Sequence, residues 1–202
     1  MLTKAQFADR LKNACLTVIA AEAELTEIDA KFGDADHGFT MAKVCNAIIA
    51  AMEESDGGIQ TLLDDAAMAV MAINGGSAVP LWNTWLDGMQ EGAPEAEEID
   101  VAGIKAVFAK AFEELDEMSG AKVGDKTMMD ALIPASQAMA AYEGDSEAEL
   151  FALAAKAAAE GAENSKNFPS KYGRAKSYGA KTIGTPDAGA MSMSCFFQGL
   201  AK

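Results

Sequence analysis

The sequence predicts an all-α fold. Ala and Met are abundant while β-branched residues and aromatics are scarce, a composition that favours helices over strands. Apolar residues also recur at helical spacing in eight separate segments. At 202 residues, half of them hydrophobic, residues 1–202 suit one domain able to bury a good core without disulfides.

Each segment has its own justification. Thr3 and Gln6 form a capping box that opens a first helix carrying Phe7, Leu11, Cys15, Val18 and Ile19 and reaching the mid-twenties. A second carries Met41, Val44, Ile48 and Met52 and stops at Ser55-Asp-Gly-Gly. A third carries Ile59, Leu62, Leu63, Ala66, Val70 and Ile73 and ends at Asn74-Gly-Gly-Ser77. Pro80 suits the first turn of a fourth, with Leu81, Trp82, Trp85, Leu86 and Met89.

Asp100 is placed to cap a fifth helix, with Ile104, Val107, Phe108, Phe112 and Leu115 on one face. A sixth starts near Thr127, with a kink expected at Pro134. Ser146 with Glu149 opens an Ala-rich seventh that runs to about Lys166. After a long connection, Thr185-Pro186 is the expected N-cap and first residue of an eighth, bearing Met191, Met193, Phe196, Phe197 and Leu200.

A formal net charge of −15 argues against nucleic-acid or anionic-membrane partners, which are bound through basic patches. Cys15, Cys45 and Cys195 lie in apolar helical patterns without metal-ligand spacing and read as reduced core residues. With no signal-peptide pattern and no membrane-spanning apolar run, a soluble cytoplasmic protein is expected.

In an up-and-down array, the loops after helices one, three, five and seven share one end. Those loops hold every unusual stretch of the chain. The first places Asp29, Asp34, Asp36 and the sole histidine, His37, in ten residues with two glycines, where a sharp turn can converge three carboxylates on a hard cation such as Mg²⁺. A solvated acidic loop is the alternative. A calcium-binding EF-hand is a poor fit, because the count from Asp34 puts Cys45 where its glutamate should stand.

Gly75-Gly-Ser-Ala78 can present N–H groups at a helix N-terminus to a phosphate, although such a run also serves as a flexible linker. Lys166 to Lys181 holds five of the sixteen basic residues. Among its side chains Arg174 can fork onto phosphate oxygens and Tyr172 or Tyr178 can cover a nucleoside, or the stretch is simply a solvated basic loop. Together the loops suggest a Mg²⁺-nucleotide site and phosphoryl transfer, with neither a Walker A motif nor a protein-kinase signature set.

Four motifs in order carry a resemblance across nearly the whole chain. They are Asp29-x₄-Asp34-x-Asp36-His37-Gly38, Gly75-Gly-Ser77, Gly124-Asp-Lys-Thr-Met-Met-Asp-Ala-Leu132, and Gly173-Arg-Ala-Lys-Ser-Tyr178 followed by Asp187-Ala-Gly-Ala190. The chain resembles the nucleotide-binding L subunit of dihydroxyacetone kinase. The resemblance implies a closed barrel of eight antiparallel amphipathic helices, with ATP or ADP bound in the loops at one end. It implies that Asp29, Asp34 and Asp36 hold two Mg²⁺ ions and, with His37, form the catalytic group. His37, Gly38, Phe39, Thr40, Ser77 and Ala78 would lie along the nucleotide, Gly120 and Met128 would border adenine, and Arg174 with Asp187, Ala188 and Gly189 would close over it.

The resemblance further implies a ketose kinase whose sugar sits on a separate K-type subunit, with free ATP or a phosphotransferase-system phosphocarrier as the phosphoryl source. A homo-oligomer is also expected. The alternatives are a subunit that holds ADP as a relay, and an acceptor other than dihydroxyacetone, such as a tetrulose or a fatty acid. The chain departs from the family pattern at Ala35, Thr40, Ala78-Val79 and Ala188, beside the metal ligands and never at them.

Overall fold

The computed structural model describes residues 1–202, nine α-helices and one short pair of strands. The helices are α1 (Lys4–Ala20), α2 (Glu22–Ala30), α3 (His37–Glu54), α4 (Ile59–Met71), α5 (Ala78–Glu91), α6 (Val101–Ser119), α7 (Met129–Ala141), α8 (Glu147–Asn164) and α9 (Ala188–Leu200). Strands β1 (Leu2–Thr3) and β2 (Glu98–Ile99) pair antiparallel, Leu2 opposite Ile99, a contact between segments too short to show an alternating pattern.

The ninth helix arises because the expected first helix is two. Ala21 leaves the helical region (φ −91°, ψ 4°), and α2 turns away from α1 to lie against α3 and α9. No Gly or Pro marks the break. It matters because the end of α2 carries Asp29.

Packing follows the chain in a circuit. Helix α1 lies against α3, each helix from α3 to α8 lies against its successor, and α9 returns to α1. Trp82 and Trp85 of α5, Phe108 of α6, Phe151 of α8, and Phe196 and Phe197 of α9 are buried together. Trp85 meets Phe196 edge-on at 5.1 Å and Trp82 meets it at 5.5 Å. Each such side chain contributes about 1.5–3 kcal/mol of burial, and edge-to-face geometry adds to it. Helices α7 and α8 approach so closely that a Cβ on Gly161 would stand 2.1 Å from the Asp130 carbonyl oxygen.

The caps largely follow the sequence. Thr3 and Gln6 form the reciprocal box, and the Asp100 carboxylate accepts from Gly103 N–H at 2.8 Å. The Ser146 hydroxyl accepts from Glu149 N–H, but Glu149 turns its carboxylate to the Tyr142 hydroxyl, so that box is half formed. Helix α7 runs through Pro134 unbroken and starts at Met129, two residues beyond Thr127. Helix α9 is capped by Asp187, whose carboxylate accepts from Ala190 N–H at 2.8 Å, and not by Thr185. The connection before it is ordered by 3-10 segments at Ser165–Asn167 and Arg174–Thr182.

Candidate functional site

The loops after α2, α4, α6 and α8 meet at one end around a cavity of about 460 Å³, within the range of small-molecule sites. Its floor is Leu81 and Trp82, so the aromatic core sets its depth.

The acidic wall is shaped by the backbone. The Asp29 carboxylate accepts from Asp36 N–H at 3.1 Å and from His37 N–H at 3.3 Å, which folds the loop back over the end of α2. Ala35 makes the turn with a left-handed φ of 60°. Gly38 lets α3 start directly against α2, since a Cβ there would stand 2.1 Å from the Glu22 carbonyl oxygen. Asp36 occupies the N-cap position of α3 but makes no capping bond, which leaves its carboxylate to the cluster.

Carboxylate oxygens of Asp29, Asp34 and Asp36 lie within 4.8 Å of one another. Partial desolvation, then the Asp34 and Asp29 charges, push the Asp36 carboxyl above its usual range. Arg174 reaches across to Asp34 at 2.8 Å, although its side chain remains largely exposed. The His37 Nε2 lies 3.1 Å from the Ser192 hydroxyl, which in turn donates to the Gly189 carbonyl. Burial lowers the His37 pKa, with Asp29 opposing, and the ring is held neutral.

Opposite the acids, Gly76 and Ser77 lead into the N-terminus of α5, and Ser77 makes no capping hydrogen bond. Met118, Ser119, Lys126, Thr127 and Met128 form a third wall. Ser170, Tyr172 to Ala175, and Asp187 to Gly189 form a fourth. Burial, helped by the Asp130 charge and opposed by the Ala190 N–H and Lys126, pushes the Asp187 carboxyl up to about 7.

Of the residues singled out in the sequence, Asp29, Asp34, Asp36, His37, Thr40, Ser77, Ala78, Met128, Arg174, Asp187, Ala188 and Gly189 line this one cavity. Tyr172 lines it as well, whereas Gly38, Phe39, Gly120 and Tyr178 do not. Gly38 faces inward to α2, Phe39 is exposed with Lys43 Nζ 4.3 Å over its ring, Gly120 is the left-handed cap of α6 beside the lining Ser119, and Tyr178 packs on Phe32 with ring centroids 5.3 Å apart. Lys126, Ser119, Ser170 and Ser192 carried no signal as single residues, because a lone Ser or Lys is common in helices and loops alike.

The family model of the DAK2 domain matches residues 31–202, which takes in every residue lining the cavity except Asp29. The chain belongs to the DAK2 domain family. This DAK2 domain is 35% identical over 179 residues to a D-erythrulose kinase of Mycolicibacterium smegmatis, covering 86% of this chain but 31% of that one. It is 27% identical over 191 residues to the ADP-binding subunit DhaL of the PEP-dependent dihydroxyacetone kinase of Escherichia coli, covering 93% and 91% respectively. The dihydroxyacetone kinase from C. freundii, solved in complex with AMP-PNP and Mg²⁺, superposes with a TM-score of 0.71 at 25% identity, over 98% of this chain and 33% of that one. The chain thus spans about a third of the erythrulose kinase and nearly the whole of the ADP-binding subunit.

Proposed function

We propose that residues 1–202 are a single nucleotide-binding domain that holds ATP or ADP with Mg²⁺ and supplies a phosphoryl group to a small ketose bound on another subunit or domain. The observation that carries this is the facing of three converged carboxylates by a helix N-terminus and an arginine across one cavity.

The residues fit a hard divalent cation. All three candidate ligands are carboxylate oxygens, and their mutual repulsion, felt in the raised Asp36 carboxyl, is what a cation relieves. Asp29, Asp34 and Asp36 would hold Mg²⁺, two ions on the family pattern, and the metal would neutralise phosphate charge when bound. The Gly76–Ala78 turn offers backbone N–H groups at a positive helix end to phosphate oxygens. Arg174, released from Asp34, is placed to bind the same oxygens. Met128, Leu81 and Trp82 give the base an apolar bed, and Tyr172 stands at the mouth. Neutral His37, fixed by Ser192, holds one edge of the site without adding charge.

Size supports a separate ketose carrier, since a cavity of about 460 Å³ is of nucleotide dimensions and the erythrulose-kinase relative is about three times longer than the matched part. A K-type subunit is the proposed carrier, in the cytoplasm, with homo-oligomerisation of either component; no helix is long and apolar enough to cross a membrane. The E. coli relative favours a second reading, in which ADP stays bound and is recharged by a phosphocarrier protein.

Titration calorimetry of nucleotide-stripped protein with ATP and ADP, with and without Mg²⁺, tests both. Tight Mg²⁺-dependent binding with free ATP/ADP exchange supports the ATP-dependent kinase. Tight ADP that resists exchange supports the relay, and absence of binding overturns the proposal.

A further inference from the structure

One cationic side chain in the cavity wall is already fully engaged. Lys126 is only 4% exposed, and its Nζ donates to the carbonyl oxygens of Ser165 at 2.9 Å, Phe168 at 3.1 Å and Thr185 at 2.5 Å. An ammonium has three N–H donors, so none is left for a phosphate. A lysine lining a phosphate cavity would ordinarily be read as a phosphate ligand, and this geometry excludes that role.

The three acceptors lie at the beginning of the 165–187 connection and at its end. Within it, Gly184 N–H donates to the Lys166 carbonyl and Asp187 N–H to the Ser165 hydroxyl, which closes the segment on itself. The other ties to the neighbouring loop are Lys171 N–H to the Asp125 carbonyl at 3.1 Å and an exposed Lys171–Asp125 ion pair, the latter of small worth. Lys126 itself is held in place from the other side. The buried Asp130 carboxylate accepts from Gly124 N–H at 2.7 Å and Thr127 N–H at 2.8 Å, bracketing it. Lys126 adopts a left-handed φ of 61°, an unfavourable conformation for a residue with a side chain. Burying an ammonium is costly as well unless all its donors are satisfied. Both costs are met at the point where the connection that carries Arg174 and Asp187 joins the rest of the site.

We propose that Lys126 is a positioning residue that pins the 165–187 connection to the 122–130 loop and thereby sets Arg174 and the Asp187–Gly189 turn over the cavity. The binding half of this inference rests on the nucleotide reading above, whereas the pinning does not. Burial lowers the Lys126 pKa and the nearby Asp187 and Asp130 oppose that, consistent with an ammonium kept charged in place.

The test is amide hydrogen exchange of nucleotide-free Lys126→Met against the parent, with α4 as internal reference, followed by Mg²⁺-ADP titration of both. Exchange across 165–187 should quicken at least tenfold while α4 is unchanged, and Mg²⁺-ADP affinity should fall at least tenfold. A merely structural loss would quicken α4 as well. Should Lys126→Met not fold, Lys126→Arg is measured the same way, because a planar guanidinium cannot aim three donors from one nitrogen and should release the connection too. In the parent, Lys126 should acylate at least tenfold more slowly than exposed Lys176. Unchanged exchange in a folded variant, or acylation of Lys126 at the Lys176 rate, overturns the pin. If the parent binds no nucleotide yet the variant's connection opens, the nucleotide reading falls and the pin stands.

Discussion

The two ends of the helical array are built from the same helices and differ in how completely they satisfy themselves. At the end without the cavity, where the buried Ser55 hydroxyl alone lacks a partner, Asp100 and Ser146 cap their helices, Ile59 N–H reaches the Ala96 carbonyl, and Lys105 Nζ donates to the Tyr142 carbonyl at 2.6 Å. Lys4 Nζ holds the Ser55 and Gly57 carbonyls in the same way. At the cavity end, three carboxylates crowd together, Asp36 and Asp187 resist ionisation, and Ala35 and Lys126 sit at positive φ. The first end stabilises the fold outright. The second leaves charge unbalanced in a way that only a cationic or metal-bound ligand would offset.

The strongest way to break this contrast is at the carboxylates. Asp34→Asn or Asp36→Asn should weaken Mg²⁺-dependent nucleotide binding at least a hundredfold, about 2.7 kcal/mol, with helix content unchanged by circular dichroism. Metal-free melting temperature should hold or rise, because a repelling charge has gone. An affinity within a few-fold of the parent would remove the metal assignment. The pH dependence has a definite sign. Asp187 titrates near 7 in the fold against 3.8 for the free side chain, so the folded chain keeps a proton that the unfolded chain has released. Its contribution to stability is present below 3.8 and is lost as pH rises toward 7. Metal-free Asp187→Asn should therefore gain melting temperature over the parent at pH 8 and show little difference below pH 4.

Arg174→Ala is the next largest. Loss of a charge-assisted contact to phosphate should cost about tenfold in nucleotide affinity, with Mg²⁺ stoichiometry unaltered. Stability should barely move, since the Arg174–Asp34 pair is exposed and such pairs contribute about 0–1 kcal/mol. Calorimetry reads both quantities, and unaltered affinity would take Arg174 out of the site.

Much of this was legible in the sequence, and the reasons for the exceptions are physical. Helical periodicity and caps located α3 to α6 and α8 to within a few residues, and counting alternate loops put the Asp-rich, Gly-rich and basic stretches at one end, where the cavity is. The break at Ala21 was hidden because it is imposed by where α2 packs, and no residue there disfavours a helix. The Thr185-Pro186 pair had the chemistry of a helix start, but the Asp187 carboxylate lay where it could reach Ala190 N–H, and the helix begins after it. Motif position assigned Phe39 to the site, yet on a helix its neighbours at Gly38 and Thr40 face inward, which leaves Phe39 to solvent. Lys126 and Ser192 act through long-range contacts, 39 or more residues apart for the buried lysine and 155 for the His37 partner, and no local pattern records those.

At the opposite end, Asp100→Ala removes one helix cap and should cost about 1 kcal/mol of stability. Urea denaturation measures that loss. Nucleotide affinity should stay at the parental value, because Asp100 lies at the end away from the cavity. A variant that lost affinity in proportion to stability would show the two ends to be coupled, and the contrast between them would fail.

The smallest effect probes the acidic loop without touching a carboxylate. Ala35 stands between Asp34 and Asp36 at φ 60°, where a Cβ crowds the following carbonyl. Left-handed backbone costs an alanine about 1–2 kcal/mol, and a glycine gives back about 0.5–1 kcal/mol through its greater freedom when unfolded. Ala35→Gly should therefore stabilise the metal-free fold by about 0.5 kcal/mol. Mg²⁺-nucleotide affinity should shift by less than threefold in either direction, since the loop keeps its hydrogen bonds from Asp36 and His37 to Asp29. If Ala35→Gly instead lowered stability, the turn would be held by the Ala35 methyl and not strained by it, and the cost assigned to this end would lie with the carboxylates alone.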